Sequence, residues 1–356
     1  MLPIEFSSVA RQSGVSHSLK DISFAAEQGS LTVILGPSGS GKTTLLRLAA
    51  GFESVTCGDI LMAGKSVAGL APKDRNIGML AQKPGLYPDK SVYDNLAFGL
   101  RLRKIPAAHI RERIHRTAAD LQLHDVLACR PCTLLPVQRL RAAIGRALIH
   151  RPAVLLCDEI LSETAAGSRE QLRYELRLVH EKSRVTTLYA THDPVDALAL
   201  ADQLIILREG RIVQSGSPEE IHESPADAFV AGFVGTRPIN LLPGRIDGDG
   251  ERGLRVGEQR IPLHAGSLAA AGQEVLLGIR PHDILLHEEG PFRGTVNGIE
   301  YAGSHSVIRL RFAHQEITLV TRSSVDCSPG DVLAFKLDVG KLHLFDRHSE
   351  RRIRQL

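Results

Sequence analysis

At 356 residues the chain has room for two or three domains and a substantial core. Its formal net charge of +3 is too small to argue for nucleic acid or an anionic membrane surface as a partner. Apolar stretches such as 197–207 are interrupted by Asp202 and Gln203, well short of the about 18 uninterrupted residues a membrane-crossing helix needs, and the opening segment lacks the basic-then-apolar layout of a secretory signal.

In chain order, Ile4, Phe6, Ile22 and Phe24 alternate weakly and predict strands before residue 30. A β-branched run at 31–35 then enters a glycine-rich turn, and a helix is expected from Thr43 to about Ala50, stopped by Gly51. A short strand and turn follow at 58–64, and a second strand at 77–81 leads to Gln82 and a proline-rich loop. From Ser91 to about Ala128 the pattern is helical, with Val92, Leu96 and Leu100, then Ile110 and Ile114, at helical spacing. Cys129-Arg130-Pro131-Cys132 has no second cysteine pair at zinc-like spacing and reads as two incidental thiols. The five cysteines, odd in number and scattered, suit a reducing compartment.

A helix is expected over 137–150, then an apolar strand from Val154 to Cys157 that ends in Asp158-Glu159. An amphipathic helix over 168–181, a strand over 186–191 closed by His192, and a hairpin over 203–216 come next. Ser217-Pro218-Glu219-Glu220 reads as a helix start. Strands alternating with helices predict an α/β domain with a mainly parallel sheet over 1–235, with a helical subdomain at about 88–150. Residues 236–356 carry short strand-like runs punctuated by glycine, which predicts an all-β domain of small-barrel type. Its aromatics (Phe292, Tyr301, Phe312, Phe335 and Phe345) are a thin platform for stacking single-stranded nucleic acid.

The chemistry centres on Gly36, Pro37, Ser38, Gly39, Ser40, Gly41, Lys42, Thr43 and Thr44. This spacing, between a strand and a helix, is a P-loop: glycines let successive N–H groups point at phosphate oxygens, and the helix N-terminus adds its positive end. ATP is the expected ligand, with Lys42 reaching the β- and γ-phosphates and the Thr43 hydroxyl ligating Mg²⁺. Asp158 at a strand end is the expected second P-loop element, a carboxylate that holds Mg²⁺, and the second carboxylate beside it, Glu159, is placed to polarise an attacking water. Gln82 offers an amide to Mg²⁺ or to that water, and His192 a hydrogen bond to the γ-phosphate.

The order of P-loop, Gln82, helical insert, basic helix, Cys157-Asp158-Glu159 and His192 resembles the ATP-binding subunits of ABC transporters. In that comparison 36–44 is the Walker A motif, Gln82 the Q-loop, 157–159 the Walker B end and His192 the switch histidine. Asn240-Leu241-Leu242-Pro243-Gly244, Leu277-Gly278-Ile279-Arg280-Pro281 and His343-Leu344-Phe345-Asp346 resemble landmarks of an OB-like regulatory (TOBE-type) domain in bacterial carbohydrate importers of the maltose and glycerol-phosphate type. The resemblance implies ATP hydrolysis coupled to solute import and a peripheral place on the cytoplasmic face of the inner membrane. It also implies two membrane-spanning permease subunits, a second ATPase subunit and, indirectly, an extracytoplasmic solute-binding protein as partners.

The chain departs from that family at three points. Where the family carries Leu-Ser-Gly-Gly-Gln, this sequence has Leu134-Leu135-Pro136-Val137-Gln138. The lost serine hydroxyl and glycine N–H groups are those that, in the family's head-to-tail dimer, clasp the γ-phosphate held by the opposite subunit. Ser162-Glu163-Thr164-Ala165 lacks the family's aspartate, and Ser13 stands where an aromatic ring stacks on adenine. An intact P-loop half beside a spoiled signature half predicts one of two unlike ATPase subunits. Analogy with glycerol-uptake systems that use two different ATPases points to glycerol or a polyol as cargo. The alternative is a non-hydrolysing structural or regulatory nucleotide-binding subunit in which Glu159 is idle.

Overall fold

A computed structural model describes residues 2–13, 16–82, 85–162, 164, 166–247, 253–263, 269–322 and 325–353. Contacts divide the chain into residues 1–219 and 220–356. The first unit contains strands β1 (Ile4–Ser13), β2 (Ser16–Ala26) and β3 (Leu31–Leu35), helix α1 (Lys42–Ala50), and strands β4 (Cys57–Met62), β5 (Lys65–Ser66) and β6 (Ile77–Leu80). Helices α2 (Val92–Leu102), α3 (Ala107–Asp120) and α4 (Pro136–Leu148) form the expected insert, and Cys129 and Cys132 lie between α3 and α4 as free thiols. Strand β7 (Val154–Asp158), helix α5 (Ala166–Ser183), strand β8 (Thr186–Thr191), helix α6 (Pro194–Leu200) and the hairpin β9 (Gln203–Arg208) and β10 (Arg211–Gly216) follow. Helix α7 (Pro218–Glu223) starts at the proline the sequence marked.

Two sheets share one core. The larger has the order β10-β9-β3-β8-β7-β6, parallel throughout except for β10. Its strands β3, β7 and β8 are buried at every position, as expected of parallel strands covered on both faces. The smaller sheet, β2-β1-β4-β5, is antiparallel. Helix α1 lies between them: Leu45, Leu46 and Leu48 share a core with Ile4, Phe6 and Ile60 of the smaller sheet and with Ile34, Leu156 and Leu188 of the larger. The P-loop helix is therefore held by apolar burial on both sides, and its N-terminus is held at the carboxyl edge of the parallel strands.

The second unit begins within α7 and continues into α8 (Ala228–Phe233), whose Ala228 and Ala231 pack on Ile239 and Phe345. That packing draws the helix into the C-terminal unit, ahead of the Gly235 boundary expected from composition. Strands β11 (Asn240–Ile246), β12 (Gly253–Val256), β13 (Gln259–Pro262), β14 (Glu274–Ile279), β15 (Ile284–Leu286), β16 (Phe292–Tyr301), β17 (Ser306–Phe312), β18 (Gln315–Thr321), β19 (Val332–Leu337) and β20 (His343–Asp346) make two five-stranded sheets, every pairing antiparallel. The orders are β13-β12-β11-β14-β20 and β15-β19-β16-β17-β18, and one core joins them. Buried Asn240 ties the sheets together, donating to the carbonyls of Ile279 and Thr318 and accepting from the Thr318 N–H at 2.7 Å. Phe292, Phe312 and Phe335 pack against one another in this core, and Phe345 is buried, so of the five aromatics only Tyr301 is exposed.

Two imidazoles in this unit make stability depend on acid. Burial, then Arg352 and Arg280, push His343 from an ordinary value of 6.5 to about 4, and burial, then Arg280 and His282, bring His222 to about 4. Between those values the unfolded chain takes up a proton that the folded unit refuses, so stability is lost as pH falls through that window. Calorimetric melting of the second unit is expected to move to lower temperature from about pH 7 to about pH 4.5. His343→Leu, with no proton to gain, should show a shallower fall.

Candidate nucleotide site

Every residue singled out for chemistry sits at a strand's carboxyl end. The P-loop follows β3, Gln82 follows β6, Asp158 ends β7 and His192 follows β8. Because β3, β8, β7 and β6 are consecutive neighbours in the sheet, four segments distant in the chain open onto one edge. The P-loop, Gln82, Asp158 and Glu159 line a cleft of about 260 Å³ together with Ser18, and His192 joins them through Glu159.

The P-loop backbone depends on its glycines. Gly41 caps α1 at φ +106°, with no side-chain cap on the helix's first N–H groups. A Cβ there would meet Leu19 Cδ2 at 2.7 Å and the Ser18 carbonyl at 2.8 Å. At Gly36 a Cβ would collide with the Leu207 carbonyl and lie 2.6 Å from Ser40 Oγ. Left-handed backbone costs an L-residue about 1–2 kcal/mol before any clash. Gly41→Ala is therefore expected to weaken nucleotide binding about tenfold or more, measured by displacement of a fluorescent ATP analogue.

Inside the cleft Lys42 is 4% exposed. Its Nζ donates to the carbonyls of Gly36 at 2.9 Å and Pro37 at 3.0 Å, and lies 3.4 Å from Glu159 Oε1. Thr43 Oγ1 donates to Asp158 Oδ1 at 3.0 Å. Burial raises the Asp158 carboxyl above its usual range and the charge of Glu159 adds to this, while the Thr43 hydrogen bond works the other way. Glu159 has left-handed backbone, φ +48°, secured by its N–H to Ala190 O at 2.9 Å and by two donors from Ser162 to its carbonyl. That conformation aims the carboxylate back across the cleft, where Oε2 meets His192 Nδ1 at 3.0 Å. Gln82 Nε2 donates to Ser162 Oγ at 3.3 Å on the cleft's rim. Ser40 Oγ is buried without a partner.

These features fit a nucleotide with a divalent cation. The uncapped helix N-terminus and the orphaned Ser40 hydroxyl want acceptor oxygens, and the raised, buried Asp158 beside Glu159 wants a cation. Two contributors escaped sequence reasoning. Ser18, on β2, reaches the cleft only through the folding of the smaller sheet, and Ser162 joins Gln82 to the Glu159 carbonyl. No local pattern marks Ser18, and Ser162 was named only as the start of the segment that lacks the family's aspartate.

Residues 19–162 match the ABC transporter family. The sn-glycerol-3-phosphate import ATP-binding protein UgpC of Salmonella typhi is 39% identical over 342 residues, covering 96% of this chain and 96% of that protein. The chain belongs to the ABC transporter ATP-binding subunits. The ABC transporter ATP-binding protein y4oS of Sinorhizobium fredii is 36% identical over 354 residues, 99% of this chain and 95% of that one. Among solved structures, cbiO1 of Clostridium perfringens, part of the ABC transporter complex cbiONQ, matches 62% of this chain and 90% of its own with a TM-score of 0.57 and 26% identity. Residues 277–345 match the TOBE domain and 240–286 the CysA C-terminal regulatory domain. This ABC subunit is thus an ATP-binding, import-coupled ATPase with an all-β regulatory region after its catalytic fold.

The signature segment of this ABC subunit has an altered helix start. Leu135 precedes α4, is 65% exposed, and presents an apolar side chain where the family has a hydroxyl. Pro136 at the first helical position has no N–H, and the Leu135 N–H is taken by Gln138 Oε1 at 3.0 Å. Of the other departures, Glu163, Ala165 and the side chain of Ser13 lie outside the described residues.

Proposed function

We propose that this subunit hydrolyses ATP at its own P-loop when an unlike ATPase subunit supplies the opposing signature, and so drives import of a glycerol-phosphate, sugar or polyol-type solute. The observation that carries the proposal is the pairing of Glu159 with Lys42 and His192 in a cleft whose counterpart surface, the start of α4, is spoiled. In this reading residues 36–44 bind the phosphates, and Lys42 exchanges the carbonyls of Gly36 and Pro37 for β- and γ-oxygens. Glu159 orients and polarises the attacking water, His192 donates to the γ-phosphate, and Gln82 reports cleft occupancy from the rim. Thr43, Asp158 and Gln82 would hold Mg²⁺, which neutralises charge on the phosphate oxygens. The solute class follows the names of the import ATP-binding relatives.

As an ATP-binding subunit of an importer the chain works peripherally at the inner membrane, and among the described residues no helix is long and apolar enough to cross it. Its partners are then two permease subunits, a second ATPase subunit and, through the permease, a solute-binding protein. Capturing the assembly from native membranes and identifying its ATPase subunits tests the pairing. A complex containing two different ATPase chains is expected, and an active complex with this chain alone would overturn the proposal.

The altered α4 start also favours a second reading, a nucleotide-binding subunit that does not hydrolyse. The two readings differ in whether Glu159 is needed for transport.

A further inference from the structure

The second unit contains a cavity of about 780 Å³, within the range of about 300–1,000 Å³ that holds a small organic ligand. Its walls carry Arg237, Arg280, Arg322, His222, His282 and His305, and no carboxylate. None of these residues belongs to the nucleotide cleft.

Arg280 is the informative member. It is 4% exposed, and its guanidinium donates to the carbonyls of Val234 at 3.0 Å and His222 at 2.7 Å. Two carbonyls satisfy part of its five donors and none of its charge. Among the described residues, no carboxylate comes within ion-pair distance of Arg280, Arg237 or Arg322. The adjacent acid, Asp283, instead lies 3.7 Å from His282 Nε2. The charge of Asp283 acts on Arg280 only from beyond ion-pair distance; a buried cation so weakly countered is costly to keep, and here the fold adds further guanidinium and imidazole groups around it. The depressed value of His222 has the same electrostatic sense: after burial, its largest causes are Arg280 and His282.

We propose that this cavity binds a phosphate-bearing small molecule whose oxyanion is held by Arg237, Arg280 and Arg322. Guanidinium forks on several sides match a compact, multiply charged oxyanion with several acceptor atoms. A single carboxylate would leave most of those donors and most of the positive charge unmatched. The ligand's source is either inorganic phosphate or a phosphate ester, and the cavity has room for an ester's organic part.

Titration calorimetry on the full chain tests this, in a Lys42→Ala background that weakens phosphate binding at the P-loop. The probes are inorganic phosphate, sn-glycerol 3-phosphate and, as a dicarboxylate control, malate. One equivalent of a phosphate probe should bind with a dissociation constant of about 1 mM or tighter. Arg322→Gln and Arg237→Gln should each weaken binding about tenfold. Arg322 is exposed, so its replacement removes charge without disturbing the core, and unchanged melting of the variant confirms that the fold is intact. Tighter binding of the ester supports the proposal with the organic part recognised, and equal binding supports it with free oxyanion as ligand. Absence of saturable binding, binding that survives both arginine substitutions, or malate binding as tightly as the phosphates would overturn it.

Discussion

Glu159→Gln is expected to lower ATP turnover of the assembled transporter about a hundred- to ten-thousandfold, the range spanned by removal of a positioned general base. Nucleotide binding should persist, because the P-loop, Lys42 and the Thr43–Asp158 pair are untouched. The substitution keeps the shape of the side chain and a hydrogen-bond partner for His192, while removing the charge that faces Lys42 at 3.4 Å. A single-turnover assay separates the two steps: ATP should be retained on the protein without release of phosphate. If solute uptake in vesicles is unchanged by Glu159→Gln, hydrolysis at this site is dispensable and the non-hydrolysing reading stands instead.

The second large effect is a gain. Replacing Leu135 by serine and Pro136 by glycine restores a hydroxyl at the helix cap and an N–H at the first helical position, the groups that Leu135 and Pro136 lack. The purified double variant, with no other ATPase subunit present, is expected to hydrolyse ATP at least about tenfold faster than the unmodified chain, since one charge-assisted hydrogen bond to a phosphate is worth about 1.5–3 kcal/mol. Steady-state phosphate release measures it. The gain should depend on protein concentration, because the restored helix end acts on nucleotide held by a second copy. Brisk turnover by the unmodified chain, with no gain in the variant, would show that the α4 start is not what limits this subunit.

The asymmetry behind both predictions is electrostatic and local. On the P-loop side, α1 begins with uncapped N–H groups and a lysine parked on carbonyl oxygens, a state ready to exchange those acceptors for phosphate. On the signature side, α4 begins with one donor deleted by proline and another occupied by Gln138. Two helix N-termini in one unit thus have opposite capacities for an anion, and the difference comes down to a few residues at each start.

Much of the site was legible before folding because its parts obey short-range rules. The P-loop spacing, the apolar run ending in Asp158-Glu159 and the strand closed by His192 are local patterns, each of which carries its own strand or helix assignment. The insert helices were readable from their apolar periodicity, and the change to glycine-punctuated strands announced an all-β region. The place of Ser18 in the cleft and the link Ser162 makes between Gln82 and the Glu159 carbonyl were not readable, because they come from sheet packing and a turn that no periodicity encodes.

By itself, then, the sequence determined the kinds of element, the phosphate-binding loop, the acidic strand end and the spoiled signature, since each depends on residues only a few positions apart. The tertiary structure decided what meets what. The strand order β3-β8-β7-β6 brings the P-loop, His192, Asp158 and Gln82 to one edge, the packing of α8 on Ile239 and Phe345 places that helix with the second unit, and the fold leaves Arg280 buried with, among the described residues, no carboxylate within ion-pair distance. The physical reason is that backbone propensity acts over a few residues, whereas pairing register and burial of apolar faces join segments separated by a hundred or more, and those choices are made only when the whole core packs.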